Sequence, residues 1–246
     1  MESKNDSEGR FEPGPTLHSS RALTLLELLA VVAIISVVVA VTIPVIANVK
    51  MSANRAKCLS NLRQIGLALC LYTNDNNGFF PPTTHTTGSR RIDQSWVYVL
   101  ADYLGKIDQI RVCPADPPLR RQQILERHAT SYALNELVFD EEKYNRIYSI
   151  PSPSRTLLAV ILSETRTPSS TWDHVHSGEW TTWQKMLNDV QVDRHLAGSP
   201  AQSAALRTKG SSNYLYADGH VENVRADEMK KILDAGQNPA AVPTAP

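Results

Sequence analysis

Residues 22–46 read Ala-Leu-Thr-Leu-Leu-Glu-Leu-Leu-Ala-Val-Val-Ala-Ile-Ile-Ser-Val-Val-Val-Ala-Val-Thr-Ile-Pro-Val-Ile, and this stretch decides the fold. From Leu28 to Ile46 no side chain is charged, and the only hydroxyls, Ser36 and Thr42, can bond back to a helix backbone. About 20 apolar residues rising about 1.5 Å each span a hydrocarbon core of about 30 Å. A helix is the single-segment structure that satisfies its own backbone there. Glu27 breaks the pattern at the start of the run. A carboxylate in lipid is costly and calls for a definite partner. Pro44, near the far end, removes one backbone bond and allows a kink.

The arrangement resembles the N-terminus of type IV prepilins and of the pseudopilins of type II secretion. The matching residues are Ala22, Leu23, Thr24, Leu25, Leu26, Glu27, Leu28 and Leu29, followed by the apolar run with Pro44. The resemblance implies cleavage by a prepilin peptidase between Ala22 and Leu23 and methylation of the new amine at Leu23. It also implies that Glu27 pairs with the amine of a neighbouring subunit. Two positions depart from the family's usual residues: Ala22 stands where Gly precedes the cut, and Leu23 where Phe begins the mature chain. The residues themselves support the pairing, because the mature chain has no Lys or Arg before Lys50 to neutralise Glu27.

Outward from this run, residues 1–22 form a polar leader, expected to be disordered and cytoplasmic. Lys4, Arg10 and Arg21 precede the run, while Lys50, Arg55, Lys57 and Arg63 follow it. Charge counting alone therefore favours the reverse orientation. The resemblance places the N-terminus inside and a single-pass chain in a bacterial inner membrane, with its C-terminal domain periplasmic. Formal net charge is zero, so no basic field points to nucleic acid.

Residues 47–74 continue the helix in amphipathic form. Cys58, Leu62, Ile65, Leu69 and Tyr72 share one face, and Asn54 to Leu69 again looks like the pilin-like proteins. Asn74 to Gly78 supplies the cap. A globular domain, residues 75–235, follows, with a disordered tail expected over 236–246. Ser95–Leu104 reads as a short amphipathic helix, Arg111–Pro114 as a short strand and turn, Ser131–Asn135 as an extended segment and Thr156–Ser163 as a buried strand. Asp227–Leu233 reads as a last helical turn. Asn213–Val224 alternates on both sides of Asp218-Gly219, which predicts a hairpin with a type I′ turn. The fold class that follows is α+β and pilin-like: one long N-terminal helix, transmembrane in its first half, packed on a small, mainly antiparallel sheet.

The hairpin carries a second resemblance, to a pilin-like branch of planctomycete and verrucomicrobial bacteria marked by a His, about nine residues and then Asp-Gly. Arg194 and His195 are present, but roughly twenty-two residues separate His195 from Asp218, and Ser199–Gly210 reads as an inserted loop. His195, Asp218, Gly219 and His220 are read as structural. As a catalytic set they lack a nucleophile in a supporting motif. His174 and His176 form a His-x-His pair that a strand would turn to one face, a weak metal candidate. No enzyme activity and no cofactor are expected.

The chain has three cysteines. Beyond the membrane the compartment is oxidising, so disulfides are allowed. A Cys58–Cys113 bridge is expected, with Cys70 free; Cys70–Cys113 pairing or three free thiols are the alternatives. The function implied is a structural subunit of a type IV pilus-like or type II secretion filament. Its partners would be itself, other pilin-like subunits, the peptidase, an inner-membrane assembly platform and the membrane. A non-polymerising, membrane-anchored binding domain is the alternative.

Overall fold

The computed structural model describes residues 24–87, 93–139, 142–195 and 206–244. Ala22, Leu23 and most of the predicted Ser199–Gly210 insertion therefore lie outside the described residues. The chain divides into two units, residues 1–45 and 46–246.

In the first unit the described chain is helix. Helix α1 spans Leu25–Asp75 and contains Pro44. Every residue from Leu25 to Val45 is exposed. Ser36 Oγ donates to the carbonyl of Val32 at 2.7 Å and Thr42 Oγ1 to that of Val38 at 2.6 Å, so both hydroxyls are satisfied within the helix. Among the described residues this is one helix long and apolar enough to cross a membrane. An apolar surface of this extent needs lipid or protein against it.

In the second unit, α1 turns one face inward. Cys58, Asn61, Leu62, Ile65, Gly66, Ala68, Leu69 and Thr73 are buried, which is the expected face with Asn61, Gly66, Ala68 and Thr73 added, while Tyr72 is only half-buried. The helix ends where the Asn/Gly cluster predicts. Asn77 and Gly78 take positive φ (54° and 84°), and the Gly78 N–H donates to the Thr73 carbonyl at 2.7 Å.

The sheet contains β1 (Tyr132–Asn135), β2 (Leu157–Ile161), β3 (His174–Val175), β4 (Ser211–Tyr216) and β5 (Val221–Arg225), in the order β3-β1-β2-β4-β5. The β1–β2, β2–β4 and β4–β5 pairs are antiparallel, and β1–β3 is parallel. Strands β1 to β4 are buried on both faces, and the edge strand β5 is partly exposed. Tyr132, Leu134, Ile161 and Leu215 join Cys58, Leu62, Ile65 and Leu69 on the α1 side. Ala133, Val160 and Tyr214 face a second layer, made by helices Trp183–Asp189 and Ala226–Asp234 through Trp183, Met186, Leu187, Met229 and Leu233. Gly66 permits the close approach of α1, since a Cβ there would lie 2.8 Å from Leu215 Cδ1.

Several expectations are corrected. Ser95–Leu104 is helical only over Trp96–Val99. Arg111–Pro114 is not a strand: Asp108–Arg111 is a 3-10 turn, and the Cys113 N–H donates to Ser131 Oγ at 2.8 Å instead of joining a ladder. Pro114 has no N–H to offer one. The hairpin turn is not type I′, because of its two residues only Gly219 has positive φ (86°). The Gly219 N–H closes on the Tyr216 carbonyl at 2.9 Å and the Tyr216 N–H on the His220 carbonyl at 3.0 Å, a type I turn followed by a glycine bulge. The tail, expected to be disordered, is placed through Thr244. Ala240 is buried, and its carbonyl accepts from Asn135 Nδ2 at 2.8 Å.

Candidate functional site

Three places collect the residues singled out in the sequence. The first is the start of α1. The Thr24 N–H donates to Glu27 Oε2 at 2.9 Å, Thr24 Oγ1 donates to the same oxygen at 3.0 Å, and the Glu27 N–H donates back to Thr24 Oγ1 at 3.2 Å. This is a capping box. The Thr-x-x-Glu spacing at residues 24–27 is the sequence signature of this cap, a partner for Glu27 besides the amine at Leu23 of the same or an adjacent chain.

The second place is a buried polar cluster under the α1 face. Arg194 reaches Asp116 at 2.9 Å, with side-chain exposures of 2% and 1%, and also pairs with Glu164. Burial pushes the Arg194 guanidinium toward losing its proton; the carboxylates of Asp116 and Glu164 outweigh that and hold its pKa above the usual value. Asp116 also accepts from Ser131 Oγ and lies 3.5 Å from Arg120 Nε. His195 follows Arg194, and its N–H donates to the Ser211 carbonyl at 2.9 Å. Its ring Nε2 faces Asn213 Nδ2 at 3.3 Å. Asn213 Nδ2 donates to the Arg55 carbonyl of α1 at 3.2 Å, and Asn213 Oδ1 accepts from Asn223 across the hairpin at 2.8 Å.

His195 therefore meets the hairpin at the start of β4, not at its turn. Asn213 and Asp218 are five residues apart, about 17 Å at the usual rise of a strand. Asp218 and His220 instead partner each other: Asp218 Oδ1 takes the His220 N–H at 3.1 Å and contacts His220 Nδ1 at 2.5 Å. The His220 ring stacks on Tyr216 at 4.5 Å. The turn reading of Asp218, Gly219 and His220 accounts for these contacts, while His195 belongs to a different group of residues.

Residues 48–113 match the model of a family described as a protein of unknown function (DUF1559). No curated protein and no solved structure matches the chain. The DUF1559 match runs from the second half of α1 to Cys113, and so includes both fully buried cysteines. Cys58, Cys70 and Cys113 are free thiols in the structure, Cys70 exposed. Cys58 and Cys113 are neighbours within one buried cluster, but the expected bridge between them is not formed. The DUF1559 segment alone does not build their surroundings, since Tyr132 and His195 lie beyond it.

The third place is around His174 and His176, whose rings are 5.1 Å apart. His85 joins them at 5.4 and 5.8 Å, a neighbour with no sequence signal. His174 Nδ1 lies 2.9 Å from Asp173 Oδ1 and His176 Nδ1 2.8 Å from Glu136 Oε2. Asp173 is also committed to Thr84, accepting its N–H at 3.0 Å and its hydroxyl at 2.6 Å. Among the described residues no group of three or more His, Cys, Asp or Glu is arranged to hold a metal ion.

Proposed function

We propose that this chain is a pilin-like structural subunit that is stored in a membrane by residues 23–46, processed between Ala22 and Leu23, and assembled through its apolar helix into a filament. The observation that carries the reading is the uninterrupted exposed face of Leu25–Val45 behind a single carboxylate, Glu27. In lipid that surface is satisfied. In a filament, neighbouring copies of the same helix would satisfy it equally well. Apolar burial would supply cohesion, and a Glu27–amine pair would set the stagger between subunits, since a charge without a partner in that setting is costly. The domain from Ile46 onward would then face outward and choose partners, with prepilin peptidase and an inner-membrane platform acting on the helix.

The Thr24–Glu27 cap supports a second reading, a plain single-span anchor, because it gives Glu27 a local partner without any neighbour. The test is the intact mass of the membrane-extracted chain, expressed with and without a prepilin peptidase. Loss of residues 1–22 and gain of one methyl group, only with the peptidase, is the expected result. An uncut chain under both conditions would overturn the subunit reading and leave the anchor.

A further inference from the structure

Cys58 and Cys113 come from α1 and from the segment after the Asp108–Arg111 turn, and both are fully buried in one core cluster. Around Cys58 the chain has assembled donors. The Tyr132 hydroxyl donates to Cys58 Sγ at 3.6 Å, and Cys113 and the ring of His195 are its neighbours. The bonds that orient Asn213 decide the state of that ring. With Nδ2 given to Arg55 and Oδ1 taken by Asn223, it is a donor that faces His195 Nε2. Nε2 must accept, so the proton of the neutral ring is on Nδ1. Nδ1 has no hydrogen-bond partner among the described residues, and Cys58 is a polar neighbour of the ring.

The two sulfurs are unequal. At Cys58, burial pushes the thiol up, but Cys113, the His195 ring and the Tyr132 hydroxyl beside it outweigh that and hold it well below a thiol's usual range. At Cys113, burial and the neighbouring Cys58 both push up. A dithiol exchanges with a disulfide through whichever of its two sulfurs is the more readily deprotonated.

We propose that Cys58 and Cys113 are a reversible redox pair, a dithiol held by Tyr132 and His195 that closes to a disulfide in exchange with a disulfide-bearing oxidant. The Cys58 thiolate attacks one sulfur of the oxidant's disulfide, forms a mixed disulfide and expels one thiolate. Cys113 gives its proton to water, attacks Cys58 Sγ and expels the second. Two thiols are oxidised by two electrons, and the oxidant's disulfide is reduced to two thiols. Both sulfurs are buried, so exchange requires local opening around them and is slow in the folded chain. Donors that stabilise the reduced state also make the disulfide easier to reduce, which separates this pair from a permanent staple. Meeting an oxidant in the cell rests on the domain lying across the membrane; the pairing itself does not.

The test uses the full chain in detergent with Cys70→Ser, equilibrated over a series of reduced-to-oxidised glutathione ratios, acid-quenched, alkylated and mapped by mass. The expected result is a Cys58–Cys113 crosslink that rises and falls reversibly with the ratio. Tyr132→Phe and His195→Leu should each shift the midpoint severalfold toward the disulfide, because the reduced form loses a donor. Tyr132→Phe keeps the ring and carries the test where His195→Leu fails to fold. No crosslink at any ratio, or a midpoint unmoved by Tyr132→Phe, overturns the proposal. Peptidase processing is read in a separate experiment, so one result can fail without the other.

Discussion

Arg194 and Asp116 form an ion pair at 2.9 Å with both side chains almost wholly buried, joining the residue before the motif histidine to the turn that carries Cys113. Removing one partner leaves the other charge buried, which costs about 3–5 kcal/mol. Arg120, at 3.5 Å from Asp116, offsets part of that. Arg194→Met should therefore destabilise the domain by about 3 kcal/mol, seen as a lower midpoint in urea at unchanged slope. The double variant Arg194→Met, Asp116→Asn should recover part of the loss. Equal loss in the single and double variants would mean that the pair contributes through packing and not through charge.

The hairpin turn gives a prediction with a pH sign. Gly219 sits at φ 86°, where a side chain costs about 1–2 kcal/mol, so Gly219→Ala should lower stability by that amount. Burial pushes the Asp218 carboxyl up, but the hydrogen bonds from His220 outweigh it and hold it below the usual range. A depressed carboxylate stabilises above its unfolded pKa, about 3.9, and loses that contribution as pH falls through the lower folded value. The side chain is 37% exposed, so screening keeps the effect small. Thermal melts should show Asp218→Asn slightly less stable than the parent at pH 7, with the gap closing as pH falls below about 3.9. A large loss of some activity in Asp218→Asn, with folding intact, would contradict the turn role.

What was legible follows from where the information lies. The spacing of Cys58, Leu62, Ile65 and Leu69 marks the buried face of α1 because a helix repeats its partners locally. Leu157–Ile161 and the β4–β5 hairpin are local in the same way. The second layer was not legible as a layer: with both faces covered, β1 and β2 lose the alternation that shows which side is wet, and Trp183–Asp189 is too short to announce itself. Arg111 misled in a different way. Its guanidinium is buried and donates to the Ile124 and Ala129 carbonyls, so the segment is held by a side chain instead of a ladder. The Cys58–His195 neighbourhood joins segments more than a hundred residues apart, and Asn213, which orients the ring, carries no motif of its own.

Gly66 tests the docking of α1 on the sheet. A Cβ there would lie 2.8 Å from Leu215 Cδ1, and Leu215 is fully buried. Gly66→Val should cost about 2–3 kcal/mol by overpacking, after a small gain in helix propensity. Leu215→Ala alone should cost about 2–5 kcal/mol as a cavity. Because the added and deleted groups occupy the same space, the double variant should lose less than the sum. Strict additivity in denaturant unfolding would place the α1–β4 approach elsewhere.

The Thr24–Glu27 cap separates the two readings of the N-terminal helix. A cap and an assembly carboxylate both want an oxygen at residue 27, but only the assembly role wants its charge. Thr24→Ala should cost about 1 kcal/mol of local helix stability, visible as faster amide exchange near residue 27, while leaving processing and filament entry intact. Glu27→Gln keeps an acceptor for Thr24 and loses the charge that a neighbour's amine would meet. In the subunit reading, Glu27→Gln is cleaved by the peptidase yet absent from sheared filaments, and Glu27→Ala behaves the same way. In the anchor reading, Glu27→Gln is silent and Glu27→Ala matches Thr24→Ala, because nothing beyond the first turn of the helix depends on residue 27.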